Sequence, residues 1–152
     1  MSGWERGAAD IEAALAARTL QLITGEAADG QSFLVKAERT ITTARSVAGS
    51  DPDSAFVLAY DAARQAGTAL LAQQGLRPTT AGGHYVVERA LRAQFGPGMK
   101  AFGALRRRRN ELEYPDVPGD HASPEELAEA LSDAQRIIDA AIKLLPTLGP
   151  FR

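Results

Sequence analysis

Arg106, Arg107, Arg108 and Arg109 run straight into Asn110, Glu111, Leu112, Glu113, Tyr114 and Pro115, the densest set of chemically active side chains in the chain. A guanidinium presents a planar fork of N–H donors that suits phosphate or carboxylate, and amide and phenol groups beside it add hydrogen bonds. Arg109 differs from its neighbours in position. Steps of three, four and three from Phe102 reach Leu105, Arg109 and Leu112, so Arg109 sits on the core-facing stripe of a helix. A guanidinium is costly to desolvate without partners. Glu113, one turn on, and Asp61, across the bundle, are the candidates. Paired with either, Arg109 is a structural arginine at a subunit seam; unpaired, it is available to a phosphate. Arg106, Arg107 and Arg108 read as a solvated face partly neutralised by Glu111. Their functional reading is a phosphate-contacting, nucleic-acid-binding strip that two-fold symmetry would double.

Two histidines complete the inventory. His84 follows Gly82 and Gly83 at a helix start, where it is either a local hydrogen-bonding residue or a catalytic base. His121 lies in a polar loop and reads as exposed. With no cysteine and two histidines, neither a thiolate nor a multi-histidine metal site is expected. Gly82-Gly83 lacks the flanking pattern of a phosphate-binding glycine loop, so no metal or organic cofactor is indicated.

The elements that must position these residues are helical. The chain has 152 residues, 45% of them apolar, and much of that fraction is alanine. Alanine-rich amphipathic segments with few β-branched runs favour helix. One domain over residues 1–152 is expected, all-α, an up-and-down bundle of five to six helices. A first helix is expected over about residues 8–23, ended by Gly25, and a second over about 30–47. Asp51 and Pro52 start a third, running to Gln74 and apolar nearly all round, which marks it as central. Asp61, Arg64 and Gln65 are its polar exceptions, either a narrow wet strip or partners for Arg109. Residues 76–83 read as a loop, and a fourth helix runs from His84 to about Phe95. Gly96-Pro97-Gly98 breaks the chain before the arginine helix, expected from Met99 to Glu113. Pro115 pushes Tyr114 out of helical geometry. The last helix begins at Ser123-Pro124-Glu125-Glu126, a capping box, and its apolar stripe runs to Leu145. The tail, residues 147–152, is expected to be loose.

The net charge of −2 carries no global nucleic-acid signature, so any such binding rests on a local patch. The first residues lack an apolar signal core. No apolar run approaches the ~20 residues of a membrane span. A soluble, cytoplasmic protein without membrane contact is the expectation.

Three segments carry a resemblance: Ala59-Tyr60-Asp61-Ala62-Ala63-Arg64-Gln65-Ala66 with Leu70-Leu71 and Gly75; Thr80-Ala81-Gly82-Gly83-His84-Tyr85; and Arg108-Arg109-Asn110-Glu111-Leu112-Glu113-Tyr114-Pro115. Together they resemble the HEPN domain, and within it an actinobacterial branch, over about residues 51–145. HEPN domains are small helical bundles of prokaryotic toxins, defence proteins and partners of minimal nucleotidyltransferases. The family motif is an arginine, a polar residue, three further positions and a histidine. In ribonuclease members two such motifs face each other across a dimer, the arginine stabilising phosphate and the histidine assisting attack by the 2′-hydroxyl. Arg109 and Asn110 match the first two positions, and Tyr114 stands where the histidine belongs. A phenol titrating near pH 10 is a poor general base, though it donates a hydrogen bond to phosphate or stacks on a base.

The resemblance therefore implies a homodimer that binds RNA, with a weak or degenerate metal-independent ribonuclease site at Arg109, Asn110 and Tyr114, supported by Asp61, Arg64, Glu113 and His84. The alternatives are a non-catalytic module partnered by a separately encoded antitoxin or nucleotidyltransferase, with Tyr114 as the modified residue, and a plain structural dimer.

Overall fold

The computed structural model describes residues 5–152 and is predominantly helical. Met1 to Trp4, part of the segment read as lacking a signal core, lie outside the described residues. Among the described residues the six α-helices are α1 (Ala8–Ala16), α2 (Gly30–Val47), α3 (Pro52–Gln73), α4 (Gly83–Phe95), α5 (Lys100–Glu113) and α6 (Pro124–Leu144). Two three-residue strands, β1 (Leu20–Leu22) and β2 (Leu76–Pro78), pair antiparallel with Leu22 opposite Leu76 and Leu20 opposite Pro78.

That two-stranded sheet corrects two expectations. The first helix does not reach residue 23, and the stretch after Gly75 is not all loop. Helix α1 ends because Arg18 adopts the left-handed conformation, φ 61°, while the N–H groups of Arg18 and Thr19 donate back to the carbonyls of Leu15 and Ala14. Glycine usually fills such a helix end, so the stop carries no glycine signal. The strand that follows is held by a partner more than fifty residues away, a pairing that no local pattern displays.

The remaining helices start where their caps require. Asp29 accepts from the N–H of Gln31, Asp51 from that of Ser54, and Ser123 from that of Glu126, each satisfying an amide left unpaired in a first turn. The capping box at α6 is only half formed, since the Glu126 carboxylate turns to Arg108.

Helix α3 is the axis of the packing. It touches α2, α4, α5, α6 and β2, and its buried residues include Phe56, Tyr60, Leu70 and Leu71. Small side chains let neighbours approach closely: a Cβ on Gly67 would lie 2.5 Å from Leu91 Cδ1 of α4. Leu34, Ala37, Ile41 and Ala44 of α2 face it at helical spacing, as do Ala134, Ile138 and Ala141 of α6. Gln74 and Gln94 exchange two side-chain hydrogen bonds, at 3.0 and 2.6 Å, and so join the buried ends of α3 and α4.

The tail is also corrected. It is docked rather than loose: Leu148 is buried, Phe151 N donates to Gln74 O at 2.8 Å, and Arg152 pairs with Glu12. No helix of the described residues is long and apolar enough to cross a membrane.

Candidate functional site

Successive residues of an α-helix point about 100° apart, so four consecutive arginines cannot share a face. In α5 they separate into four environments. Arg106 donates from Nε to Glu88 Oε2 at 2.6 Å, and Glu88, in α4, is only 3% exposed. Arg107 is exposed. Arg108 donates to both carboxylate oxygens of Asp120 at 2.8 and 2.9 Å and to Glu126 at 3.1 Å, clamping the loop between α5 and α6. These bonds raise its pKa, that to Asp120 most, and hold the Asp120 carboxyl below the usual range. Arg106 and Arg108 are thus not a solvated strip. Both are largely buried against carboxylates of the same chain, on opposite sides of the helix.

Arg109 faces the core, as its place on the stripe implies, with a side chain 19% exposed. Its Nε is buried without a partner. Nη1 donates to the exposed Asn110 Oδ1 at 3.3 Å, and Nη2 lies 3.9 Å from Glu113 Oε2, in ion-pair range but beyond a hydrogen bond. Asp61 pairs with Arg64 instead, at a loose 4.0 Å, and Arg64 Nε is likewise buried and unpartnered. A guanidinium carries five N–H donors. Of the ten on Arg64 and Arg109, one is hydrogen bonded among the described residues.

Both arginines border Tyr60 and His84. The Arg109 Cζ lies 6.0 Å from the centroid of the Tyr60 ring, and the His84 ring centroid lies 5.6 Å from it on the α4 side. Tyr60 is fully buried, packs edge-on against Phe102 at 5.8 Å, and has no partner for its hydroxyl. Burial pushes its pKa up to about 12, against the pull of Arg64, Arg106 and Arg109. His84 keeps a lowered pKa, first through desolvation and then through Arg64 and Arg109. Its imidazole is therefore neutral near pH 7, with one ring nitrogen free to accept a proton.

The arrangement is a pair of under-satisfied guanidiniums beside a neutral imidazole, a set that suits an oxyanion, above all a phosphate. It joins Arg109, Arg64, Asp61, Glu113 and His84 from three helices. It does not include Tyr114. That residue follows α5 in a non-helical conformation, as the proline requires, but it is 75% exposed and its phenol makes no hydrogen bond or ring contact among the described residues. Glu88 and Tyr60 were not visible as site residues. Glu88 carries a faint signal, being an acid beside Val87 on the apolar stripe of α4, whereas Tyr60 reads simply as core. Among the described residues no group of three or more His, Asp or Glu is placed to hold a metal ion. Comparison with family models, with curated proteins and with solved structures finds no match for the chain.

Proposed function

We propose that the chain is a HEPN-like RNA-binding protein, working as a two-fold dimer of the toxin or defence type, in which Arg64 and Arg109 hold an RNA phosphate. The observation that carries this reading is the donor count. Two partly buried guanidiniums with nine of their ten N–H groups unbonded among the described residues make a poor structural ion pair and a good anion site. The resemblance of residues 51–145 to HEPN domains supplies the expectation that the anion is RNA.

In this reading His84, rather than Tyr114, acts as the base. The neutral imidazole takes the proton of a 2′-hydroxyl as that oxygen bonds to phosphorus. The P–O5′ bond breaks, the leaving oxygen takes a proton from water, and the hydroxide so formed takes the proton from His84, which returns to its neutral form. Arg64 and Arg109 meet the charge that grows on the phosphate oxygens. Cleavage of a structured RNA with EDTA present tests this. Wild type is expected to cut weakly, His84→Ala and Arg109→Ala not at all, and Tyr114→His no better than wild type. Binding of no RNA at low salt would sink the whole reading.

A second reading has one observation in its favour. Tyr114 is so open that it is a good acceptor for a nucleotidyl group from a separately encoded transferase. An intact mass unchanged after incubation with a cognate transferase and ATP would dismiss it.

A further inference from the structure

Tyr85, the residue after His84, is an exposed aromatic that is nonetheless held in place. Its side of α4 is built from the inside outward. Glu88 is buried, and a buried carboxylate demands a cation. Arg106 supplies it at 2.6 Å, with Arg92 a more distant second at 3.7 Å. So anchored, the Arg106 guanidinium lies 5.2 Å from the centroid of the Tyr85 ring. Arg89 lies 5.8 Å from the same ring and makes no ion pair among the described residues. The ring remains 54% exposed. Arg106 also acts on His84 and Tyr60, since its charge helps to lower the one pKa and opposes the rise of the other. Tyr85 follows His84 in α4, and the His84 ring lies 5.6 Å from that of Tyr60, which the Arg109 guanidinium borders at 6.0 Å, so the ring stands one residue from the under-satisfied cluster.

At an exposed ring the cation–π contacts themselves add only a little to the fold. A nucleobase gains a great deal from such a ring, because stacking on an aromatic side chain needs no matched hydrogen bonds and is open to any base. We infer that Tyr85 is a stacking platform for an unpaired nucleobase whose phosphate lies on Arg64 and Arg109. The inference rests on the RNA-binding reading and adds to it a choice of substrate. A paired base has both faces covered by its neighbours in the helix, so this site selects single strands, or loops, over duplex. Arg89, exposed and without an ion pair, is free to move aside for the base or to meet the next phosphate.

The test is fluorescence anisotropy with a labelled twelve-nucleotide RNA, single-stranded and then annealed to its complement, at two salt concentrations. The proteins are wild type, Tyr85→Ala, Tyr85→Phe and Arg109→Ala, with a thermal melt of each to establish that it folds. Tyr85→Ala is expected to weaken single-strand binding about tenfold, leaving duplex binding and salt dependence as in wild type. Tyr85→Phe, which keeps the ring, is expected to bind as wild type. Arg109→Ala is expected to weaken both RNAs and to flatten the salt dependence. Equal single-strand affinity for wild type and Tyr85→Ala overturns the platform while leaving the phosphate site standing. So does an equal loss on single strand and duplex. Absence of any RNA binding by folded wild type overturns both.

Discussion

On one side of α5, Arg108 donates to both oxygens of Asp120 and to Glu126. About a quarter-turn round the helix, the next residue, Arg109, has one bond of 3.3 Å to an exposed asparagine. The two share a helix, a residue type and a similar exposure, 21% against 19%. What differs is the geometry of the carboxylates within reach. Asp120 presents both oxygens to the guanidinium fork from a loop beyond the helix, so the bond is bidentate. Glu113 is one turn along the same helix and approaches only to 3.9 Å. A satisfied guanidinium is part of the fold. An under-satisfied one is a standing invitation to a ligand, and two charges of this second kind, Arg64 and Arg109, act together with the satisfied Arg106 on one histidine.

The contrast predicts that stability and binding separate along the arginine run. The largest loss of stability is expected from Arg106→Ala, which leaves the buried Glu88 with only the more distant Arg92. Removing one partner of a buried pair costs about 3 kcal/mol, read as a lower midpoint in urea unfolding, and a smaller loss than for Arg108→Ala would break the scheme. Arg108→Ala is expected to cost about 1 kcal/mol, because its partners are about one-third exposed and solvent screens them. It should also free the loop between α5 and α6, seen as faster amide exchange over residues 116–122. Arg109→Ala is expected to leave stability within about 0.5 kcal/mol of wild type while weakening RNA binding. A loss of stability as large as that of Arg106→Ala would place Arg109 with the structural arginines.

The two histidines sharpen the same comparison through pH. His121 Nδ1 donates to Asp53 Oδ2 at 2.6 Å, and its pKa is raised, first by that hydrogen bond. The stability it contributes is fully present below the unfolded value near 6.5 and is lost as pH rises through the folded value above it. His84 has the opposite sign. Its folded pKa is depressed, so the unfolded chain takes up a proton first, and stability falls as pH drops below about 6.5. His121→Gln is therefore expected to remove a loss of stability on the alkaline side, and His84→Gln one on the acid side. Urea midpoints across pH 5 to 8 read both, and His84→Gln with an unchanged acid limb would mean that its ring is as well solvated as that of His121.

Much of the helical layout was legible because its signals are local. Asp51-Pro52, Ser123-Pro124 and Gly96-Pro97-Gly98 mark helix ends within a few residues, and the apolar period identifies α3 as central. Arg109 is inward on α5 for the same reason, since helical period alone decides which way a side chain faces. What escaped depends on distance in sequence. The strand Leu20–Leu22 exists through Leu76–Pro78, and its helix ends at a left-handed arginine that imitates no glycine signal. Arg106 and Arg108 look alike in the sequence, yet Glu88 and Asp120 claim them from opposite sides of α5. His84 and Arg109 both border Tyr60, while Tyr114, five residues from that arginine, is left 75% exposed. The identity and period of the residues determine which groups are available. Only the packing of α3, α4 and α5 determines which of them are left with unused hydrogen-bond donors, because that depends on where the nearest carboxylate happens to stand in space.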